Sequence, residues 1–224
     1  MQFSDADPRF YEISKKTGKA SGELETLISP YRKELDQAMN SVIGEAGIKL
    51  TKGKPESTLG SFVANLMLEK ARESDPTPVD FAMQNYGGLR ISEIPKGDIT
   101  TGKIFELMPF DNMLVIVECP GKIARKFIDD IASSGGAPLS GNISFKIKED
   151  RASKIKIDGK KFDEKRNYRI AMPDYIANGG GGKDYLTSLP RLDSEILIRD
   201  AIIDYVTNHE GPIAPELTGS ISKN

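Results

Sequence analysis

The stretch Phe81-Ala82-Met83-Gln84-Asn85-Tyr86-Gly87-Gly88-Leu89-Arg90 decides how the chain is read. Its first half closes an apolar strand, Val79 to Met83. Its second half breaks that strand at Asn85 and passes two glycines into one arginine. Glycine accepts positive φ without steric cost and asparagine does so better than most residues, so the backbone turns tightly here. A turn at the end of a strand is exposed, and binding residues gather at such places. Arg90 adds a fixed cation with a planar fork of donors suited to carboxylate or phosphate oxygens. Read alone, the stretch favours a structural turn with a surface salt bridge. Its companions along the chain decide between the two.

Composition sets the outer limits. The chain has 224 residues, of which 38% are hydrophobic and 29% charged, enough for one packed core of domain size. A net charge of −2 argues against a protein whose main work is to neutralise a nucleic-acid polymer. No apolar run is long enough to span a bilayer. Met1 to Asp7 shows no basic segment followed by an apolar one, so no signal peptide is visible. Cys119 is the single cysteine and His209 the single histidine. Cysteine-based zinc and intrachain disulfides are thereby excluded, and a catalytic zinc or dinuclear metal site, which draws on several imidazoles, is not expected. Neither Cys119 nor Ser140 has a histidine at an interpretable spacing, so no catalytic residue is assigned. Cys119 reads as a small buried hydrophobe and His209 as a residue near a helix C-terminus.

Periodicity gives the elements. Residues 1–22 form a polar lead-in, 23–210 the folded domain, and 211–224 a polar tail. Leu27, Ile28, Tyr31, Leu35, Met39, Val42 and Ile43 recur at helical spacing, predicting a helix from Leu24 to Ala46. A short strand from Ile48 to Lys52 follows. Ser57 or Thr58 caps a second helix running to about Ser74. After the opening strand come a loop from Ile91 to Gly97 and a short helix, Thr101 to Leu107. Then come a buried-type strand, Met113 to Glu118, and an amphipathic helix, Ile123 to Ala132. Strands at Ile143–Ile147 and Ile155–Ile157 lead into Asp158-Gly159, a hairpin signal. Tyr168 to Met172 is a further strand, and Arg191 to His209 a closing helix.

Three turns carry unusual chemistry. The first is Asn85 to Arg90, with Gly87 and Gly88 between. The second is Pro109-Phe110-Asp111-Asn112, a ring held beside a proline. The third places Tyr175 three residues before Asn178-Gly179-Gly180-Gly181-Gly182. Two aromatic rings grip a flat heterocycle, with stacking worth roughly 1–3 kcal/mol per base. Asn85 and Asn178 offer amide donors and acceptors to a base or sugar. Each aromatic taken alone reads better as a core residue; the three elements in one order in one chain weaken that reading.

The ordered set of motifs resembles the C-terminal domain of the 5′-nucleotidases. It comprises Glu56-Ser57-x-Leu59-Gly60, Asn85-x-Gly87-Gly88-x-Arg90, Leu107-x-Pro109-Phe110-x-Asn112, Leu139-Ser140-Gly141, Ile157-Asp158-Gly159, and Tyr168 followed after six residues by Tyr175-x-Ala177-Asn178-Gly179-Gly180. The family includes the periplasmic UDP-sugar hydrolases of bacteria and the animal ecto-5′-nucleotidase. The resemblance implies an α+β fold, a single four-layer α/β/β/α domain that binds a nucleotide or nucleoside. It implies that Phe110 and Tyr175 clamp the base, and that Asn85, Gly87, Gly88, Arg90, Asn178 and Gly180 complete the site. It also implies that catalysis belongs to a separate metallophosphatase chain holding two divalent metals, with no cofactor in this chain, and a periplasmic or cell-surface location. A stand-alone nucleotide-binding protein without enzymatic duty is the alternative. Two departures stand out. Gly181 occupies the place of the family's loop aspartate, with Asp184 three residues on, and Lys52-Gly53-Lys54 stands where the family tends to carry arginine.

Overall fold

The computed structural model describes residues 22–217 and 219–223. The predicted lead-in therefore lies almost wholly outside the described residues. The chain divides into a unit before Met39 and a unit from Met39 onward. The described part of the first is helix α1 (Gly22–Met39), which carries Pro30 and an ion pair between Arg32 and Glu25 at 2.7 Å.

The second unit is α+β. Its elements are β1 (Val42–Ala46), β2 (Leu50–Thr51), α2 (Thr58–Ser74), β3 (Phe81–Ala82), β4 (Glu93–Ile94) and β5 (Gly97–Thr100). Next come α3 (Thr101–Leu107), β6 (Met113–Pro120), α4 (Gly121–Ser133), β7 (Ile143–Lys148), β8 (Arg151–Ile157) and β9 (Lys160–Lys161). The last are β10 (Asn167–Pro173), α5 (Asp174–Ala177), β11 (Arg191–Leu197), α6 (Ile198–Asn208) and β12 (Ile221–Lys223). The central sheet has the order β11-β6-β10-β3, and a second four-stranded sheet the order β12-β7-β8-β9. Two small pairs, β1 with β5 and β2 with β4, complete the pattern.

The central sheet is buried on both faces, and β6 shows why its sequence is continuously apolar. Leu114 and Ile116 point into one core, packed against residues of α2, α3 and α6. Val115, Val117 and Cys119 point into the other, packed against α4 and the inward faces of β7 and β8. Such a strand cannot alternate apolar with polar. Full burial of each aliphatic side chain contributes about 1.5–3 kcal/mol. The Cys119 thiol is fully enclosed, and burial pushes its pKa up to about 12. An alkylating reagent at about pH 8 is therefore expected to leave the native chain unmodified and to label it fully in denaturant. Mass spectrometry reads the outcome, and rapid native labelling contradicts this placement.

Local signals hold where chemistry is specific. Ser57 caps α2, its Oγ accepting from Gly60 N at 3.2 Å. Asp158 and Gly159 adopt φ of 49° and 74°, the doubly left-handed turn that a two-residue hairpin requires. Three boundaries are corrected. The first helix ends at Met39, and Val42–Ala46 is a strand paired with β5. The predicted closing helix begins only at Ile198, because Arg191–Leu197 is a strand paired with β6. The polar tail is not loose. Ile213 pairs with Ala46, and Ile221–Lys223 joins β7 as a parallel strand.

Candidate functional site

Strand direction brings the three turns together. β3 runs parallel to β10, with Phe81 opposite Ile170, so their C-terminal ends share one end of the sheet. β6 runs antiparallel to β10, with Leu114 opposite Pro173, so its N-terminal end lies there too. Asn85–Arg90 leaves β3, Phe110–Asn112 enters β6, and Tyr175 follows β10. The result is a cavity of about 360 Å³ lined by Asn85, Gly87, Gly88, Arg90, Phe110, Asn112 and Tyr175.

Each turn is fixed by its own bonds. After β3, Gln84 N donates to Pro138 O at 3.0 Å and Gly88 N to Asn85 O at 2.9 Å, closing a short 3-10 turn over Tyr86–Gly88. Arg90 N donates to Leu107 O at 2.8 Å, which ties the turn to the end of α3. Gly88 is enforced by crowding. A Cβ there would meet the buried Gln84 Nε2 at 2.3 Å and Asn85 Oδ1 at 3.0 Å. The second turn is held by Arg199, nine-tenths buried, whose guanidinium donates to Met108 O at 3.4 Å and to Asp111 Oδ1 at 2.6 Å. The same guanidinium lies 4.4 Å from the Phe105 ring centre. Asp174 joins the second turn to the third, its Oδ1 accepting from Met113 N at 3.1 Å and Tyr175 N at 2.8 Å.

Phe110 and Tyr175 stand 51% and 50% exposed, although both are large rings. Among the described residues neither stacks on another aromatic side chain. The Arg90 guanidinium carbon lies 5.7 Å from the Phe110 ring centre, and its Nη1 donates to Gly87 O at 3.3 Å. Beside the cavity, Lys52 and Lys54 converge on the Tyr86 ring at 4.0 and 5.0 Å. Lys52 Nζ also donates to Leu89 O at 2.7 Å. Burial, followed by the charges of Arg90 and Lys54, lowers the Lys52 pKa from its ordinary value.

Six of the eight residues expected at the site line the cavity, and two do not. Asn178 is turned to Arg191, its Oδ1 accepting from Nη1 at 2.6 Å. Gly180 serves from behind. A Cβ there would lie 2.4 Å from Tyr175 O and 2.5 Å from Tyr175 Cε1, so only glycine lets the loop pass under that ring. The glycine loop is anchored to α4 at Asp130, which accepts from Tyr185 OH at 2.6 Å and pairs with Lys183 at 3.3 Å. Asp184 is not among the lining residues. Asn112 is, and its place in the Pro109-Phe110-x-Asn112 motif was the available signal. Among the described residues no three His, Cys, Asp or Glu side chains group as a metal set. His209 caps the C-terminus of α6 and stacks on Tyr205 at 5.0 Å, in a different groove.

Comparison with known proteins follows the same line. The model of the family described as 5′-nucleotidase, C-terminal domain, matches residues 38–188. Protein UshA of Escherichia coli (strain K12) is 30% identical over 179 residues, covering 77% of this chain and 31% of UshA. A 5′-nucleotidase of Vibrio parahaemolyticus is 27% identical over 193 residues, covering 82% of this chain and 33% of its own length. The chain thus spans about a third of the curated relatives it matches. Among solved structures, the 5′-nucleotidase precursor of Thermus thermophilus superposes with a TM-score of 0.74 at 26% identity, over 90% of this chain and 43% of that one. The α+β fold expected from the motifs is the fold present.

Proposed function

The chain belongs to the 5′-nucleotidase family through its C-terminal domain, and on that premise we propose that it supplies nucleotide recognition to a 5′-nucleotidase-type phosphohydrolase. The observation that carries this reading is the meeting of three sequence-distant turns on one cavity walled by two half-exposed rings. Phe110 and Tyr175 stack on the base. Asn85 and Asn112 hydrogen-bond to base or sugar. Gly87 and Gly88 let backbone approach the ligand closely. Arg90, with Lys52 and Lys54 beside it, faces phosphate. The described residues do not fit the two-metal centre that phosphate-ester hydrolysis in this family uses, so no hydrolytic step is assigned to them. Catalysis falls to a metallophosphatase unit, acting as a separate chain in the periplasm or at the cell surface. No helix among the described residues is long and apolar enough to cross a membrane.

Calorimetric titration with adenosine, AMP and UDP-glucose tests the recognition step. Saturable binding of at least one is expected, and binding of none rejects the reading. Adding the chain to a metallophosphatase unit is expected to raise nucleotide hydrolysis, and an unchanged rate rejects the split arrangement. A stand-alone nucleoside-binding role is the second reading, favoured by Gly181 at the aspartate position and by the engagement of Asn178 with Arg191. Binding that persists while hydrolysis stays unchanged selects it.

Lys52 gives a pH signature. Its lowered pKa reflects burial and two neighbouring cations. The negative charge of a bound phosphate raises that pKa again. Binding then takes up protons between the lowered value and the pKa of the bound state. The preference for AMP over adenosine is expected to shrink as pH rises through this window. Calorimetry in buffers of different ionisation heat reads the proton uptake, and Lys52→Met should abolish it.

A further inference from the structure

The second sheet turns a basic face to solvent. Residues 143–161 hold seven lysines and arginines against Glu149, Asp150 and Asp158, a local charge of +4 in a chain of net −2. Lys146, Lys154 and Lys156 line one groove of about 230 Å³ together with Ser144 and Ser222. This groove shares no residue with the cavity between Phe110 and Tyr175. Among the described residues none of these three lysines is in an ion pair, whereas Arg151 on the same strand pairs with Asp129 at 3.2 Å.

Backbone geometry gathers these charges at a cost. Ser144 faces Lys156 and Lys146 faces Ser153, so Lys154 and Ile155 together oppose Phe145 in a bulge. Lys154 takes φ of 54°, a left-handed conformation that lysine seldom adopts. The bulge keeps Ala152 and Ile155 buried while Lys154 stands exposed beside Lys156. Lys156 in turn lies directly opposite Lys161, and facing like charges destabilise a sheet unless a counter-ion joins them. Lysines that merely guard a sheet edge belong on edge strands. Here Lys146, Lys154 and Lys156 sit on the two inner strands. The lining carries no carboxylate, and its one aromatic, Phe145, is buried and offers no face to a base.

We propose that this groove is an anion site for a phosphate-type oxyanion bearing two or more negative charges. Lys146, Lys154 and Lys156 supply the countercharge, and the Ser144 and Ser222 hydroxyls donate to the oxygens. Free pyrophosphate and the clustered phosphodiester headgroups of an anionic bilayer share this chemistry. The test is amide chemical-shift mapping of the full 224-residue chain during titration with inorganic pyrophosphate. Saturable shifts are expected at Ser144–Lys156 and Gly219–Ser222, weaker in high salt. The double variant Lys154→Gln/Lys156→Gln is expected to weaken them roughly tenfold, with a melting temperature equal to the parent or higher. Co-sedimentation with phosphatidylglycerol vesicles but not phosphatidylcholine vesicles, lost in the same double variant, identifies the headgroup as the source. Shifts confined to Asn85–Arg90 without vesicle retention overturn the proposal. So do groove shifts or vesicle retention that the double variant leaves intact. Groove shifts, vesicle retention and their loss in the double variant are read apart from whether the cavity between Phe110 and Tyr175 binds a nucleotide.

Discussion

Tyr175→Ala and Phe110→Ala are each expected to weaken nucleoside binding roughly 5- to 150-fold, the range that one stacked ring contributes. Both rings line the same cavity, and each keeps about half its surface in water, at 50% and 51% exposure. A core aromatic truncated to alanine costs about 3–5 kcal/mol of stability. These two rings are not core residues, so the melting temperature should hold while affinity falls. That separation of binding from stability is the informative readout. Adenosine is the cleaner probe, because it lacks the phosphate that Arg90, Lys52 and Lys54 would address. Because both rings would grip one base, the double variant is expected to depart from the sum of the two free energies, and the difference measures their coupling. Calorimetry with all three variants measures this, and unchanged affinity in either single variant removes that ring from the site.

Gly180→Ala is expected to weaken binding about as much as Tyr175→Ala, although Gly180 does not itself line the cavity. Its Cβ would stand 2.4 Å from Tyr175 O, a backbone atom that already accepts from Gly180 N at 2.9 Å. The ring atoms Cε1 and Cζ lie at 2.5 and 2.6 Å from the same point. Swinging the ring away relieves only part of this crowding, because the carbonyl stays in place. The turn must open, and Tyr175 moves with it. Overpacking of this kind costs about 1–3 kcal/mol in stability. Gly181→Asn is the control. Gly181 has φ of 64°, which asparagine tolerates, and nothing lies within 4 Å of a Cβ there. That variant should bind as the parent does. Equal affinities for the two variants would show that the loop does not position Tyr175.

The residues that were legible in the sequence are those whose chemistry is local. Asp158-Gly159 announced its hairpin because few other residues take positive φ, whereas Asn85-x-Gly87-Gly88 turns without positive φ and needs Gly88 for the room beside Gln84. Strand β6 announced its two-sided burial through an unbroken apolar run. Boundaries failed where the deciding partner is distant. Val42 and Ile43 continue the helical spacing of Leu35 and Met39, and only their pairing with β5 makes them a strand. Ile198, Ala201, Ile202 and Tyr205 keep helical spacing, yet Arg191–Leu197 ahead of them pairs with β6 through a bulge inside β11, where Glu195 takes φ of 59°. Asn178 carried a binding motif, but no local feature reveals that Arg191 claims its amide. Gly180 is expected at the site by resemblance, and its structural signature, a Cβ that would meet the Tyr175 ring, shows only once the loop is folded.

The strand formed by Ile221–Lys223 makes the C-terminal segment a donor strand. It completes the edge of the second sheet beside β7, after Ile213 has paired with Ala46. A chain cut after Glu210 loses both pairings and leaves β7 with open hydrogen-bonding groups. Such an edge recruits whatever strand is available, which favours exchange between copies at high concentration. A synthetic peptide spanning residues 211–224, added in trans, should refill the vacancy by strand addition and return the truncated chain to the parent's assembly state. The domain would then serve as a two-part reporter, reassembled by a peptide that contains no residue of the cavity between Phe110 and Tyr175.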